Sequence, residues 1–200
     1  MPKKLSTIVV VLLLSYEVLA TDSYLIRPAV HEGYEVKQDL IQFRNGNAGI
    51  TIKCAQAIDV SGYYSTRGAP FIGNPFQREE FGNPTVFLLT IFNRTNGNAT
   101  FTPGLVAIKI KDDASFPLDY VTLMQAIEGL PSRDKRILEE SIYHSPETIR
   151  SGEVVSKFLL FPPLPDKHLE FRLEFDYLYF ESKEVRTKFY FTKERIRAKE

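Results

Sequence analysis

The sequence predicts a mainly β protein, an antiparallel β-sandwich of about seven to nine strands with a short two-helix insertion. Apolar and polar residues alternate with a period of two in several segments. Groups of Gly, Pro and Asn separate these segments, as expected for turns. One stretch, residues 118–143, shows helical spacing instead.

Residues 1–20 have the layout of a cleavable secretory signal peptide. Two lysines precede an apolar run over residues 8–14, and small residues stand three and one positions before Thr21. The run is too short for a membrane-spanning helix, which needs about 20 apolar residues. We expect cleavage after Ala20, no membrane insertion of the mature chain, and a secreted or periplasmic protein.

The charge of the mature chain is close to neutral. The signal segment holds two lysines and one glutamate, so 23 basic and 24 acidic residues remain of the 25 and 25 in the full sequence. Nucleic-acid-binding surfaces usually show a clear basic excess, so we expect no nucleic-acid partner. Residues 194–200 are expected to form a charged tail. The oligomeric state stays open.

Cys54 is the sole cysteine, so an internal disulfide is excluded and stability must come from packing. It alternates with Ile50 and Ile52, which places the thiol on the apolar face of a strand. We interpret it as a small buried hydrophobic residue rather than a nucleophile. No cofactor is expected.

The strands are expected in a sandwich domain over residues 36–193, after an N-terminal extension over 21–35. A hairpin is predicted around Asn45-Gly46, because this dipeptide favours the positive φ angles of tight turns. Further strands are predicted at 85–92, 105–111 and 154–161. In the first of these, odd- and even-numbered positions are both apolar, which predicts a central strand covered on both faces.

The helical insertion is predicted as two short helices within residues 118–143. Apolar residues recur at helical spacing until Gly129 and Pro131 end the first helix. Ser132 can cap a second helix over residues 133–143. We expect both helices to plug one end of the sandwich, since so small a segment cannot fold alone.

The C-terminal strands are predicted as a hairpin. Odd positions are apolar over 169–180 and again in the following strand. Odd residues must then pair with odd residues, so the turn should contain an odd number of residues. This pairing puts Tyr179 opposite Val185 and Asp176 opposite Lys188.

An asparagine-rich patch follows the predicted central strand. Asn96-Gly97 is expected to close a turn. Asn93 and Asn98 match the glycosylation acceptor pattern, which matters only in a eukaryotic host. Asp112-Asp113 is the nearest approach to a carboxylate pair, but adjacent residues at a strand end point apart. No metal site is therefore expected.

The histidines do not form an enzymatic signature. His31, His144 and His168 stand apart, and none belongs to a zinc-protease or serine-hydrolase motif. We therefore expect a non-enzymatic protein. A hydrolase with a dispersed active site is an open alternative.

Residues 60–84 form a turn-rich connection longer than the usual limit of about 12–15 residues. It carries aromatic and arginine side chains, the types found at binding hot spots: Tyr63, Tyr64, Arg67, Phe71, Phe76 and Phe81. These residues either contact another envelope or extracellular protein, or fold inward as a lid over the open edge of the sandwich.

Two segments carry a resemblance to a known class of domain. Over residues 86–95 an apolar strand ends in Asn and precedes a loop, and Ser151-Gly-Glu153 opens a later strand. This pattern resembles the immunoglobulin-like sandwich modules of uncharacterised exported bacterial proteins, over roughly residues 36–193, and the resemblance implies that the later strand lies on the opposite sheet. The resemblance implies an Ig-like β-sandwich without catalytic residues, although the paired cysteines and the tryptophan of antibody-type domains are lacking.

Together these observations predict an exported, non-enzymatic protein-binding or envelope-assembly module. Beside the hydrolase, which is the alternative from a different class, a further alternative is a sandwich that binds a small ligand or carbohydrate, with the aromatic connection as a stacking platform.

Overall fold

Two antiparallel β-sheets pack face to face in the computed structural model, which describes residues 23–196. The predicted signal segment and the cleavage position after Ala20 lie outside the described residues. In chain order the elements are β1 (Ser23–Pro28), β2 (Glu35–Lys37), β3 (Leu40–Asn45), β4 (Ala48–Cys54), α1 (Ala57–Thr66), β5 (Thr85–Asn93), β6 (Ala99–Phe101), β7 (Val106–Ile110), β8 (Asp113–Ser115), α2 (Tyr120–Ile127), α3 (Ser132–Ser141), β9 (Glu147–Ile149), β10 (Val154–Phe161), β11 (Leu169–Phe180) and β12 (Lys183–Ile196). The prediction of a mainly β fold is confirmed.

Within the described residues, the larger sheet has seven strands and the smaller has five. In the larger sheet β1, β12 and β11 lie side by side, and β6 and β7 both pair with the far edge of β11. β9 and β8 extend that side further. The smaller sheet has the order β10-β5-β4-β3-β2.

The first hydrophobic core lies between the two sheets and is rich in phenylalanine. The Phe87 ring of β5 lies 5.2 Å from the Phe191 ring of β12, in an edge-to-face arrangement between ring centroids. Phe175 and Phe189 are similarly arranged at 5.3 Å. Such aromatic pairs contribute about 0.5–1.5 kcal/mol beyond their buried area.

β5 is covered on both faces, as its sequence predicted. Phe87, Leu89 and Ile91 belong to the first core. Val86 and Leu88 point to the other face and contact a second core on the outside of the smaller sheet. The second core also contains Phe158 and Leu160 of β10 and apolar residues of the three α-helices.

The helical insertion occupies the predicted region, with α2 and α3 at residues 120–127 and 132–141. Its predicted position at one end of the sandwich is wrong. Both helices lie on the outer face of the smaller sheet, where Leu123, Ile127 and Leu138 are buried in the second core. The position of a helix on a sheet depends on long-range packing, which the local sequence does not encode.

The predicted turn-rich connection begins with a helix. α1 runs to Thr66, and three short 3-10 turns follow it: Pro70–Ile72, Pro75–Gln77 and Glu79–Phe81. The Asp59 carboxylate accepts a hydrogen bond of 2.9 Å from the backbone N–H of Gln56, which secures the helix start. Gly62 and several poor helix formers obscure this helix in the sequence.

The N-terminal hairpin is confirmed, but its two-residue turn is Gly46-Asn47, one position later than the predicted Asn45-Gly46. β3 and β4 pair up to Asn45 and Ala48, and Gly46 has φ +59°. The predicted strand before it is divided in two, because Gln38 adopts φ +57° between β2 and β3. Within the predicted N-terminal extension, β1 pairs with β12.

The predicted register of the C-terminal hairpin is wrong. The turn contains two residues rather than an odd number, since Phe180 pairs with Lys183. A bulge after Phe175 restores the pairing of inward-facing residues on the two strands, because two residues of β11 stand opposite one of β12. Leu178 rather than Tyr179 therefore faces Val185.

The ionic partner of Lys188 changes for the same reason. Glu174 rather than Asp176 stands opposite Lys188, and its carboxylate lies 3.2 Å from the ammonium. Partial burial acts to raise the pKa of the Glu174 carboxyl, but the Arg172 and Lys188 side chains together outweigh it and hold this pKa below its ordinary value.

β10 belongs to the same sheet as β5, not to the opposite one as expected. The two strands pair antiparallel from Val154–Phe92 to Phe161–Thr85. β10 is an edge strand whose outer side is partly covered. The carbonyl oxygens of Phe158 and Leu160 accept hydrogen bonds from the backbone N–H groups of Tyr143 and Leu118.

Candidate functional site

The six residues predicted as a binding surface lie in two environments. Tyr63, Tyr64, Phe76 and Phe81 are buried in the second core. Arg67 is exposed, and the Phe71 ring is 52% exposed. Most of these aromatic side chains thus fold inward, and only part of the predicted surface is accessible.

Two tyrosine hydroxyls fix α1 against its neighbours. The Tyr63 hydroxyl donates a hydrogen bond of 2.8 Å to the carbonyl oxygen of Ser156 in β10. The Tyr64 hydroxyl lies 2.8 Å from the Ser141 hydroxyl at the end of α3. Burial raises the pKa of the Tyr63 phenol, while the nearby Arg67 charge acts in the opposite direction.

A cleft of about 480 Å³ lies where α1, α3 and the beginning of β10 meet. Four basic side chains and one acidic side chain line it, together with Tyr63: Arg67, Arg133, Arg136, Lys157 and Glu140. We call this cleft, defined by these six residues, the basic cleft. Its volume falls within the range of about 300–1,000 Å³ that ligand-binding sites occupy.

Aromatic rings hold two of the arginines. The central carbon of the Arg67 guanidinium lies 3.6 Å from the Tyr63 ring centroid. The corresponding carbon of Arg133 lies 4.3 Å from the Phe71 ring centroid. No carboxylate among residues 23–196 lies within ion-pair distance of either guanidinium. Each of these two charges is stacked on an aromatic ring, and neither forms an ion pair within the described residues.

The other two cations have acidic partners. The Lys157 ammonium donates hydrogen bonds of 2.7 and 2.8 Å to the two carboxylate oxygens of Glu147. Arg136 and Glu140 form a long pair of 3.9 Å along α3, and both side chains are more than 70% exposed. Exposed pairs of this kind contribute little to stability, so Arg136 can move to another anion.

Sequence reasoning found one arginine of the basic cleft and missed the others. Arg133, Arg136 and Glu140 recur at intervals of three and four residues, which places them on one face of α3. That spacing was a usable signal for a charged helix face. It does not reveal that this face borders Arg67, which lies far away in sequence.

The predicted glycosylation positions differ in access. The Asn93 side chain is fully buried, and its amide donates hydrogen bonds of 2.8 and 2.9 Å to the carbonyl oxygens of Gly97 and Ile149. A glycan on this nitrogen would not fit the folded chain. Asn98 is exposed. The asparagine-rich patch carries the chain from β5 in the smaller sheet to β6 in the larger one.

Cys54 is half-buried and packs against the first core. Burial raises the pKa of its thiol to about 12, and the Asp59 carboxylate acts in the same direction. At neutral pH the group is therefore a thiol, which is a poor nucleophile and a poor metal ligand.

The three histidines lie on different parts of the fold. His31 is exposed and stacks on the Tyr190 ring with 4.2 Å between centroids. His144 is half-buried beside Tyr120, and its Nδ1 has no hydrogen-bond partner among residues 23–196. His168 is exposed in the loop before β11. None of the three lines the basic cleft.

Metal-binding geometry is not found in the part of the chain that the structure describes, since no three His, Cys, Asp or Glu side chains come together there. Asp112 and Asp113 are both exposed at the tight turn between β7 and β8. Within the same residues, no helix has the length and apolar character needed to cross a membrane.

No protein-family model, no curated protein and no solved structure matches the chain.

Proposed function

We propose that this protein is an exported, non-enzymatic binding module that meets another protein through the basic cleft. One observation carries the proposal: two arginines, Arg67 and Arg133, are fixed by aromatic rings at one cleft without an acidic partner within the described residues. Fixing a side chain before binding reduces the entropy lost on binding. Arginine and tyrosine are also enriched at binding hot spots.

The surroundings of the cleft support a rigid binding surface. Its walls come from α1, α3 and β10, which are held together by the second core and by the hydroxyl contacts of Tyr63 and Tyr64. Sites on packed elements keep their geometry better than sites on mobile loops. Of residues 60–84, Tyr63 and Arg67 line the basic cleft, and Phe71 contacts it through the guanidinium of Arg133.

Export is part of the same proposal and rests on the layout of residues 1–20. We propose a secreted or periplasmic location for the mature chain, with cleavage after Ala20. N-terminal sequencing of the protein recovered from the producing cells tests this directly. A mature chain that begins at Thr21 supports export, and one that begins at Met1 or Pro2 contradicts it.

We also propose that the two-sheet architecture is of the immunoglobulin-like class. The support comes from two antiparallel sheets that share one core. The chain crosses from one sheet to the other, for example between β5 and β6. The seven-stranded sheet and the helical layer exceed the usual design of such domains. An experimental structure in which the two sheets do not share the first core would contradict this assignment.

Carbohydrate binding by aromatic stacking receives less support from the geometry. Stacking requires an open ring face, but Arg67 covers Tyr63 and Arg133 covers Phe71. The remaining aromatic residues of the segment are buried. A protein surface with acidic side chains complements the basic cleft better.

Capture experiments with matched variants test the proposed function. The purified protein serves as bait in an extract of the producing cells, beside the double variant Arg67→Gln/Arg133→Gln. Arg94→Gln is the matched control, because Arg94 is exposed and lies outside the basic cleft. We expect the double variant to lose a partner that the control retains. A partner list that is identical for all three proteins would contradict the proposal.

A further inference from the structure

We propose that the basic cleft recognises an oxyanion group on its ligand, a carboxylate or a phosphate, and that Arg67 and Arg133 bind this group. The inference rests on the proposed function, because it assigns a ligand chemistry to the same cleft. Both groups present oxygen atoms that match the planar fork of N–H donors on a guanidinium.

The charge of the cleft is the first argument. Four cations line it or border it, against the carboxylates of Glu140 and Glu147. Glu147 is occupied by Lys157, and Glu140 makes only the long 3.9 Å contact with Arg136. The surplus positive charge therefore lies at Arg67 and Arg133.

The placement of Arg133 is the second argument. Arg133 is the second residue of α3, a position where the helix dipole disfavours a positive charge. Asp134 is in the same turn, but neighbouring residues on a helix point in different directions and form no ion pair here. A bound oxyanion would remove this unfavourable interaction. The arginine thus occupies a position that an anionic ligand makes favourable.

The free donors of Arg67 are the third argument. One guanidinium nitrogen donates a hydrogen bond of 3.3 Å to the carbonyl oxygen of Tyr63, which helps to end α1. A guanidinium has five N–H donors, so most of them stay available to a ligand. The stacking on Tyr63 limits the rotation of the side chain and presents these donors in one orientation.

Titrations with two defined probes test the inference. Heteronuclear NMR spectra of ¹⁵N-labelled protein are recorded with inorganic phosphate and, separately, with a capped tetraglutamate peptide. We expect saturable shifts at residues of α1, α3 and early β10 with at least one probe. The double variant Arg67→Gln/Arg133→Gln should weaken binding about tenfold or more, since a hydrogen bond between charged groups is lost at each position.

Controls separate a specific site from general attraction. Arg94→Gln removes the same charge elsewhere and should leave the affinity within about twofold, because exposed distant charges are screened by salt. Arg67→Lys/Arg133→Lys keeps the charge but removes the planar fork, so it should bind more weakly than the native protein. Thermal melting of each variant establishes that it is folded.

The outcomes are distinct. Saturable binding of tetraglutamate alone supports the inference and identifies protein carboxylates as the source, whereas binding of phosphate alone supports it with a phosphorylated ligand. Shifts that never saturate, or a loss of affinity that is equal in Arg94→Gln, would overturn it. If neither probe binds but the double variant still loses its captured partner, the oxyanion assignment fails and the proposed function survives.

Discussion

The side-chain amide of Asn93 donates a hydrogen bond of 2.9 Å to the carbonyl oxygen of Ile149, and this bond joins β5 of the smaller sheet to β9 of the larger one. The second amide hydrogen bonds to Gly97 at 2.8 Å. The Asn93 oxygen accepts two hydrogen bonds from Thr95. A single buried side chain thus ties together the crossing between the sheets.

Asn93→Ala should destabilise the protein, because it removes the buried hydrogen bond to the Ile149 carbonyl oxygen and the acceptor of two hydrogen bonds from Thr95. We expect a loss of about 1–3 kcal/mol in the free energy of unfolding, measured by urea denaturation. Asn98→Ala is the control, since Asn98 is exposed. Equal stabilities for the two variants would show that the Asn93 hydrogen bonds do not stabilise the fold.

Lys193→Met should also destabilise the fold. The Lys193 ammonium is buried and donates hydrogen bonds of 3.0 and 2.8 Å to the carbonyl oxygens of Leu164 and Pro165. Its contact with Asp166 adds little, because that carboxylate is 85% exposed. We expect a loss of about 1–3 kcal/mol by urea denaturation. Lys183→Met, at an exposed position, should stay within about 0.5 kcal/mol of the native protein.

Two glycine substitutions should change stability in opposite directions. An alanine methyl at Gly49 would lie 2.3 Å from the carbonyl oxygen of Phe43 and 2.5 Å from the Phe92 ring. Gly49→Ala should therefore cost about 1–3 kcal/mol or more, since the strand backbone must shift. Gly62 lies inside α1 with no atom within 4 Å of such a methyl. Gly62→Ala should stabilise the protein by about 0.5–1 kcal/mol. Thermal denaturation of both variants shows whether each change raises or lowers the stability relative to the native protein.

The Cys54 thiol should react slowly in the folded protein. Its pKa of about 12 leaves about one thiolate in ten thousand at pH 8, which slows alkylation by iodoacetamide. Unfolding in urea should accelerate the reaction by about a thousandfold, as the pKa returns towards its ordinary value of 9.0. Mass spectrometry of the alkylated protein follows both reactions. Equal rates in the folded and unfolded states would contradict the burial of the thiol.

The same shift predicts a loss of stability at alkaline pH. The folded protein holds the Cys54 thiol proton more tightly than the unfolded chain does. The contribution of this group to the free energy of unfolding is therefore complete below about pH 9 and is lost as the pH rises towards 12. Cys54→Ala should show a smaller decline in the free energy of unfolding over that range. An identical decline in both proteins would assign the effect to other groups, such as the buried tyrosines.

The sequence predicted the elements whose information is local. The boundaries of β10 and β11 match the predicted 154–161 and 169–180, because their apolar patterns are continuous. The bulge in β11 was missed, since it requires Tyr177 to adopt φ +59° and no local residue type demands that angle. α1 was missed because Gly62 lowers its helical propensity, although Val60, Tyr63 and Tyr64 have the spacing of one helix face.

The basic cleft was predicted only in part, for a related reason. Arg67 was selected by residue type, but Arg133 and Lys157 reach it from elements far along the chain. Their approach depends on how α3 packs on the smaller sheet. That packing follows from the shared second core and not from any pattern within one segment.

β5 separates two hydrophobic compartments while belonging to both. Deleting the helical layer would bare Val86 and Leu88 on the strand whose opposite side seals the sandwich. The helices are for this reason not an accessory that a minimal version of the protein could omit. We expect sandwich and helices to unfold together, since loosening the elements around the basic cleft would expose Val86 and Leu88 of β5 to water.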